Sequence, residues 1–240
     1  MGKTLKVEKV SAGYRNLHVL FEASCSMNDG EITVLVGPNG SGKSTLLKTI
    51  MGITEVYSGE LFFDGTNIKG LPTHDITRLG ISYLPQVNST FSNLTVRENL
   101  VMAGYILSRE EADERVRKAL EDFPVLKKYI DRKAGTLSGG ERQMLAMAMA
   151  MTRKPKVMLF DEPTASLAPK VAFEILREIR VLKEEHKMTI VLAEQNARRA
   201  LEMGDRAILL VGGRVAFEGK AKELLEHEEL GKIYLGIRQG

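Results

Sequence analysis

A chain of 240 residues with 43% hydrophobic and 27% charged residues suits one globular domain, or one domain with a subdomain. Its 34 basic and 31 acidic residues leave a net charge of +3, not the large basic excess typical of nucleic-acid binders, so none is expected as a partner. No apolar run approaches the roughly 18 residues of a membrane span, and Met1 to Lys6 lack the apolar stretch of a signal peptide, so work at a membrane is expected to go through a partner chain.

The first 36 residues read as short strands, with turns at Gly13 and at Asn28-Asp29-Gly30. The single Cys25 lies in one of them and reads as a buried, inert thiol in a reducing compartment. The run Ile32 to Val36 leads into a glycine-rich turn, and Ser44 to Met51 reads as a helix. Gly59 to Gly65 reads as a hairpin and Gly80 to Val87 as a strand. From Ser92 to Met151 the pattern becomes helical. Ser108 with Glu111 makes a capping box before Ala112 to Phe123, Pro124 interrupts, and a second helix opens at Ser138 and runs to about Thr152. Val157 to Phe160 is an unbroken apolar strand of the kind found in parallel sheets covered on both faces. Pro169 opens a helix with Ile175, Leu176, Ile179 and Leu182 on one face. Thr189 to Ala193 and Ala207 to Val211 are further buried strands, Gly212-Gly213 is a turn, and Ala221 to Leu235 reads as helical. The expected architecture is α/β: a nucleotide-binding core over 1–89 and 153–240, carrying an antiparallel β subdomain and split by a helical subdomain over 90–152.

Gly37-Pro38-Asn39-Gly40-Ser41-Gly42-Lys43-Ser44 fits G-x-x-x-x-G-K-[ST] without a gap. Glycines let backbone N–H groups turn inward around a polyphosphate, and the helix that follows adds the positive end of its dipole. Lys43 would reach the β- and γ-phosphates of ATP, and the Ser44 hydroxyl would bind Mg²⁺. A glycine-rich turn that binds nothing is the plain alternative, but a chance match is on the order of one in a hundred, and a strand before and a helix after lower it further. At the other strand end, Asp161 can hold Mg²⁺ through water, and Glu162 could polarise the attacking water. Taken alone, that pair could equally be a solvated turn. Ser138-Gly139-Gly140 offers a second helix start with free N–H groups, which one nucleotide does not obviously need; two chains packed head to tail would use both at each site.

Together these residues resemble an ABC ATPase over nearly the whole chain. Residues 37 to 45, ending in Thr45, match Walker A; Leu137 to Glu141 match the ABC signature; and 157 to 162 match Walker B. The resemblance implies a P-loop NTPase fold and further site residues. Gln86 matches the glutamine that touches Mg²⁺ and attacking water and senses the membrane partner. Tyr14 matches the aromatic that stacks on adenine, and Val19 a nearby apolar contact. Two positions depart from the pattern. Gln195 stands where a switch histidine is usual, the four histidines (His18, His74, His186, His227) lying elsewhere, and Ala168 stands where an aspartate is usual.

Those departures resemble the smaller ATPase of branched-chain amino-acid importers. The implied partners are transmembrane permease subunits, a second ABC ATPase subunit and, indirectly, an external substrate-binding protein, at the inner face of the membrane. A permease contact is expected near Gln86, where Phe91, Leu94 and Val96 read as an exposed mix. An exporter motor and a soluble ABC ATPase acting on nucleic acid or ribosomes are the rival readings; the second usually carries a long insertion or two fused domains.

A neutral amide at position 195 can donate a hydrogen bond but cannot titrate near neutrality as imidazole does. Gln195→Ala is expected to lower kcat by roughly tenfold to a thousandfold, the range for one lost transition-state donor. The pH–rate profile of the unaltered protein is expected to lack an imidazole inflection. Full activity in Gln195→Ala would remove this residue from the mechanism.

Overall fold

In the computed structural model, which describes residues 3–87, 89–227 and 229, the chain divides into two units. The first draws on residues 1–83, 156–162 and 179–240, the second on 84–155 and 163–178.

β1 (Lys3–Tyr14) and β2 (Leu17–Asn28) form an antiparallel hairpin. The turn expected at Gly13 falls instead at Arg15-Asn16: Gly13 is paired with His18, and Arg15 supplies the positive φ of 51° that a tight hairpin needs. β3 (Ile32–Val36) is buried throughout and leads by way of the glycine-rich loop into α1 (Lys43–Ile50). β4 (Glu55–Phe63) and β5 (Thr66–Asn67) make the expected hairpin about Asp64-Gly65. α2 (Thr73–Leu79) follows, a helix not read from the sequence because only Ile76 of its residues is buried. β6 (Ile81–Leu84) is shorter than expected; Pro85, with no N–H to donate to a ladder, ends it.

α3 (Val96–Ala103), α4 (Arg109–Asp122) and α5 (Gly139–Met151) build the second unit, α3 and α4 packing against α5. Each opens on a capping box: Thr95 with Glu98, Ser108 with Glu111, Ser138 with Glu141. Val96 is fully buried in α3, which corrects its reading as exposed; Phe91 is 52% exposed. Buried Asn99 fastens the intervening loop, donating to the carbonyls of Phe91, Leu94 and Thr95 and accepting from Phe91 N.

The chain continues through β7 (Val157–Asp161), α6 (Pro169–His186), β8 (Thr189–Ala193), α7 (Ala197–Met203), β9 (Arg206–Val211), β10 (Arg214–Lys220) and α8 (Ala221–Glu226). The rest of the expected tail helix, apart from His227 and Glu229, lies outside the described residues. In α6, Ile175, Leu176, Ile179 and Leu182 are all buried, as their spacing predicts.

Two sheets result: a four-stranded antiparallel one in the order β2-β1-β4-β5, and a six-stranded one in the order β10-β9-β3-β8-β7-β6. β9, β3, β8 and β7 run parallel, and β3, β7 and β8 are buried residue by residue, as both-face coverage requires. One apolar core joins the sheets: Leu5, Leu20 and Met27 belong to it from the first, Leu35, Leu159 and Ile208 from the second. Cys25 is buried there; burial, with the charge of Glu218 added, pushes its thiol well above the ordinary range.

Gly213, in the turn between β9 and β10, ties the glycine-rich loop 37–42 to β2. Its N–H donates to Ser41 O, and its carbonyl accepts from Phe21 N. Its φ is +75°, and a Cβ there would lie 1.9 Å from Val19 O. Gly213→Ala is therefore expected to cost at least about 2 kcal/mol. The checking measurement is thermal unfolding, with Tm falling by roughly 5 °C or more; an unchanged Tm contradicts this account of the turn.

Candidate functional site

The carboxyl ends of β3, β7 and β8 lie side by side, with Leu35 paired to Ala193 and Ala193 to Asp161. Ligands of open α/β sheets bind at that edge. The chain leaves β3 into the loop 37–42 and returns as α1, so the helix N-terminus opens there.

Lys43 is 4% exposed, and its Nζ donates to the carbonyls of Gly37 at 3.0 Å and Pro38 at 3.2 Å. Burial pulls its ammonium below the ordinary lysine range, while the carboxylates of Glu162, Asp161 and Glu194 act to raise it. Ser44 Oγ donates to Asp161 Oδ1 at 2.7 Å, and Tyr83 Oη donates to Asp161 Oδ2 at 2.8 Å. Burial, reinforced by Asp161, pushes the Tyr83 phenol far upward, so it stays a neutral donor. Glu162 follows at φ +49°, its N–H donating to Ala193 O at 2.9 Å. Gln195 is exposed just before α7, which Asn196 caps.

Tyr83 and Glu194 belong to this cluster and were not singled out from the sequence. Glu194, 3% exposed, directly follows an apolar strand, which is the same signal that marks Asp161. Tyr83 left no such signal, because its place depends on β6 lying beside β7, and strand order is not written locally.

The cradle fits a polyphosphate. Ser41 Oγ is buried in the loop without a hydrogen-bond partner, a polar atom awaiting one. Among the described residues no three His, Cys, Asp or Glu side chains converge on a metal cage. The donor set of Ser44 and Asp161 instead suits Mg²⁺, which takes one or two protein ligands and completes its shell with water and phosphate oxygens.

In the β1–β2 hairpin of the first unit, Tyr14 ends β1 and is 39% exposed, with half-buried Val19 on β2. Tyr57 Oη donates to Arg15 O at 2.6 Å, and the His18 ring stacks on the Tyr57 ring at 4.1 Å. These contacts hold the turn next to Tyr14.

The remaining predicted residues belong to the second unit. Gln86 is exposed after β6. Ser138 is exposed at the start of α5, its Oγ accepting from Glu141 N at 3.3 Å. A Cβ on Gly139 would lie 2.7 Å from Leu167 Cδ2, and one on Gly140 2.5 Å from Val171 Cγ1. Close packing against residues 167–171 is therefore one physical reason for two glycines at this helix start.

A family model described as ABC transporter matches residues 20–165. The chain is 54% identical, over 97% of its length and 99% of the relative's, to the "Probable branched-chain amino acid transport ATP-binding protein LivF" of Archaeoglobus fulgidus. It is 40% identical, over 97% and 99%, to the "High-affinity branched-chain amino acid transport ATP-binding protein BraG" of Pseudomonas aeruginosa. It is 34% identical, over 97% of both chains, to the "Lipopolysaccharide export system ATP-binding protein LptB" of Escherichia coli. Among solved structures, the ADP conformation of MJ1267, an ATP-binding cassette of an ABC transporter, superposes with a TM-score of 0.87 at 28% identity, covering 97% of this chain and 98% of that one. The dimeric cassette MJ0796 bound to ADP and Pi superposes at 0.78 with 27% identity, covering 90% and 98%. With a family model spanning more than half of it and full-length relatives of this similarity, the chain belongs to the ABC transporter ATPases.

Proposed function

We propose that this ATPase binds Mg²⁺-ATP at the β3–α1 loop and drives import of branched-chain or similar amino acids through transmembrane partners. The observation that carries the reading is the convergence of Lys43, Ser44 and Asp161 at one strand edge, in a chain 54% identical to a relative named for branched-chain amino-acid transport.

Gly37, Pro38, Asn39, Gly40, Ser41, Gly42 and Thr45 would supply the loop around the phosphates. Lys43 would exchange its carbonyl partners for β- and γ-phosphate oxygens, a trade that leaves no buried charge unpaired. Ser44 and Asp161, with Gln86, would hold Mg²⁺, which when bound neutralises charge on the phosphates. Glu162 would accept the proton of the attacking water. Gln195 would donate to the γ-phosphate or that water. Tyr14 would stack on the adenine, beside Val19. Ser138, Gly139 and Gly140 would meet the nucleotide of a second ATPase subunit packed head to tail; that a solved neighbour is described as dimeric supports a pairing of two cassettes.

Permease subunits would contact the second unit, whose exposed Phe91, Val101, Met102, Tyr105 and Ile106 support an apolar interface. This contact would hold the ATPase at the inner face of the membrane, and an external binding protein would act through the permeases. A helical subdomain over 90–152, inserted into a core over 1–89 and 153–240, would then be the part that meets them. The export relative favours one second reading, a motor for outward transport.

Lys43→Ala removes the charge that meets the phosphates. ATP affinity measured by calorimetry is expected to fall at least tenfold, about 1.4 kcal/mol; unchanged affinity sinks the loop assignment. Direction is tested in proteoliposomes carrying the chain with the permease and ATPase subunits that co-purify with it. ATP on the cytoplasmic face is expected to drive leucine inward in the presence of a binding protein, and Glu162→Gln to keep ATP binding while losing both hydrolysis and uptake. ATP-driven efflux without uptake supports the outward reading instead.

A further inference from the structure

Both oxygens of the Asp161 carboxylate are occupied, and by residues of different kinds. Oδ1 accepts from Ser44 Oγ, at the start of α1, at 2.7 Å. Oδ2 accepts from Tyr83 Oη, on the neighbouring strand β6, at 2.8 Å. Asp161 itself is 4% exposed, so water competes little for either oxygen.

The terminal torsion of an aspartate is broad and close to twofold. A carboxylate held through one oxygen can swing about that bond, whereas two bonds from two directions fix its plane. Mg²⁺ demands near-ideal octahedral geometry, so a carboxylate that swings where it meets the ion's hydration shell costs affinity. Carboxylates that ligate metals are themselves hydrogen-bonded for this reason. Tyr83 is well suited to the task. Its ring is packed against the apolar core of the first unit, so the hydroxyl is presented from a fixed body rather than from a loop.

We infer that Tyr83 is a positioning residue: its hydroxyl pins Oδ2 of Asp161 and so presents Oδ1, the oxygen facing Ser44, to Mg²⁺. The inference rests on the reading that Asp161 holds the ion. It adds a residue that neither the phosphate loop nor the acidic strand end contains, and it separates the two carboxylate oxygens into one that is tethered and one that is offered.

Tyr83→Phe deletes the hydroxyl and keeps the ring, so it removes the tether while leaving the core filled. Two quantities distinguish orientation of the carboxylate from mere strand packing: ATP affinity in EDTA, and the Mn²⁺ concentration that half-saturates the ATP-loaded protein, read by electron paramagnetic resonance. Tyr83→Phe is expected to leave the first unchanged and to raise the second about tenfold, the lower end of the range for losing a partner that orients a metal ligand. An unaltered Mn²⁺ midpoint overturns the inference, and so does an equal loss of ATP affinity with and without metal, which marks a packing role. Asp161→Asn serves as the control for the underlying reading. If that variant keeps the native Mn²⁺ midpoint, Asp161 does not hold the ion and the reading fails; if it loses metal binding while Tyr83→Phe does not, only the inference fails.

Discussion

The ammonium of Lys43 sits almost wholly out of water, bonded to two carbonyls of the loop that precedes it and lying in the field of three carboxylates. A buried cation is tolerated only when both its charge and its N–H groups are met. That requirement organises the first unit. The loop must fold back to bring its carbonyls to Nζ, and β7 and β8 must run parallel to β3 and in register, so that Asp161, Glu162 and Glu194 arrive at the same edge. A sheet with its strands slipped by one residue would send these side chains to the other face and leave the charge uncompensated.

The same cluster fixes the loop from within. Lys43 bonds two of the loop's carbonyls and Ser44 bonds the Asp161 carboxylate, so loop, helix start and strand end hold one another in place. Gly213 contributes from outside the loop, bonding Ser41 on one side and Phe21 on the other, and so ties the β2 strand to the loop.

What the sequence disclosed and what it concealed follow from range. The glycine-rich loop, the Ser108 capping box, the helix start at Ser138 and the apolar strands are contiguous signals, and the structure has them where Ser108, Ser138 and Val157 place them, while the boxes of Thr95 with Glu98 and Ser138 with Glu141 came from the structure alone. Short helices with one buried residue, such as α2, carry no periodicity to read. The hairpin turn went to Gly13 because glycine is the usual bearer of positive φ, yet Arg15 adopts it. Tyr83 lies 78 residues from the carboxylate it binds, so its role depends on the order of strands in the sheet. Glu194 carried a readable signal, a carboxylate closing a buried strand, that was overshadowed by the glutamine after it.

Glu162 holds a left-handed backbone, at φ +49°, at the end of a buried strand. For a residue with a side chain that conformation costs on the order of 1 kcal/mol, and only glycine adopts it freely. Under the proposed role of Glu162 as proton acceptor, selection for thermal endurance alone would favour glycine at this position and selection for turnover would oppose it. On that reading the strand end trades durability against work, and a hot-adapted relative that keeps the carboxylate would recover the stability elsewhere, in shorter loops or denser surface ion pairs.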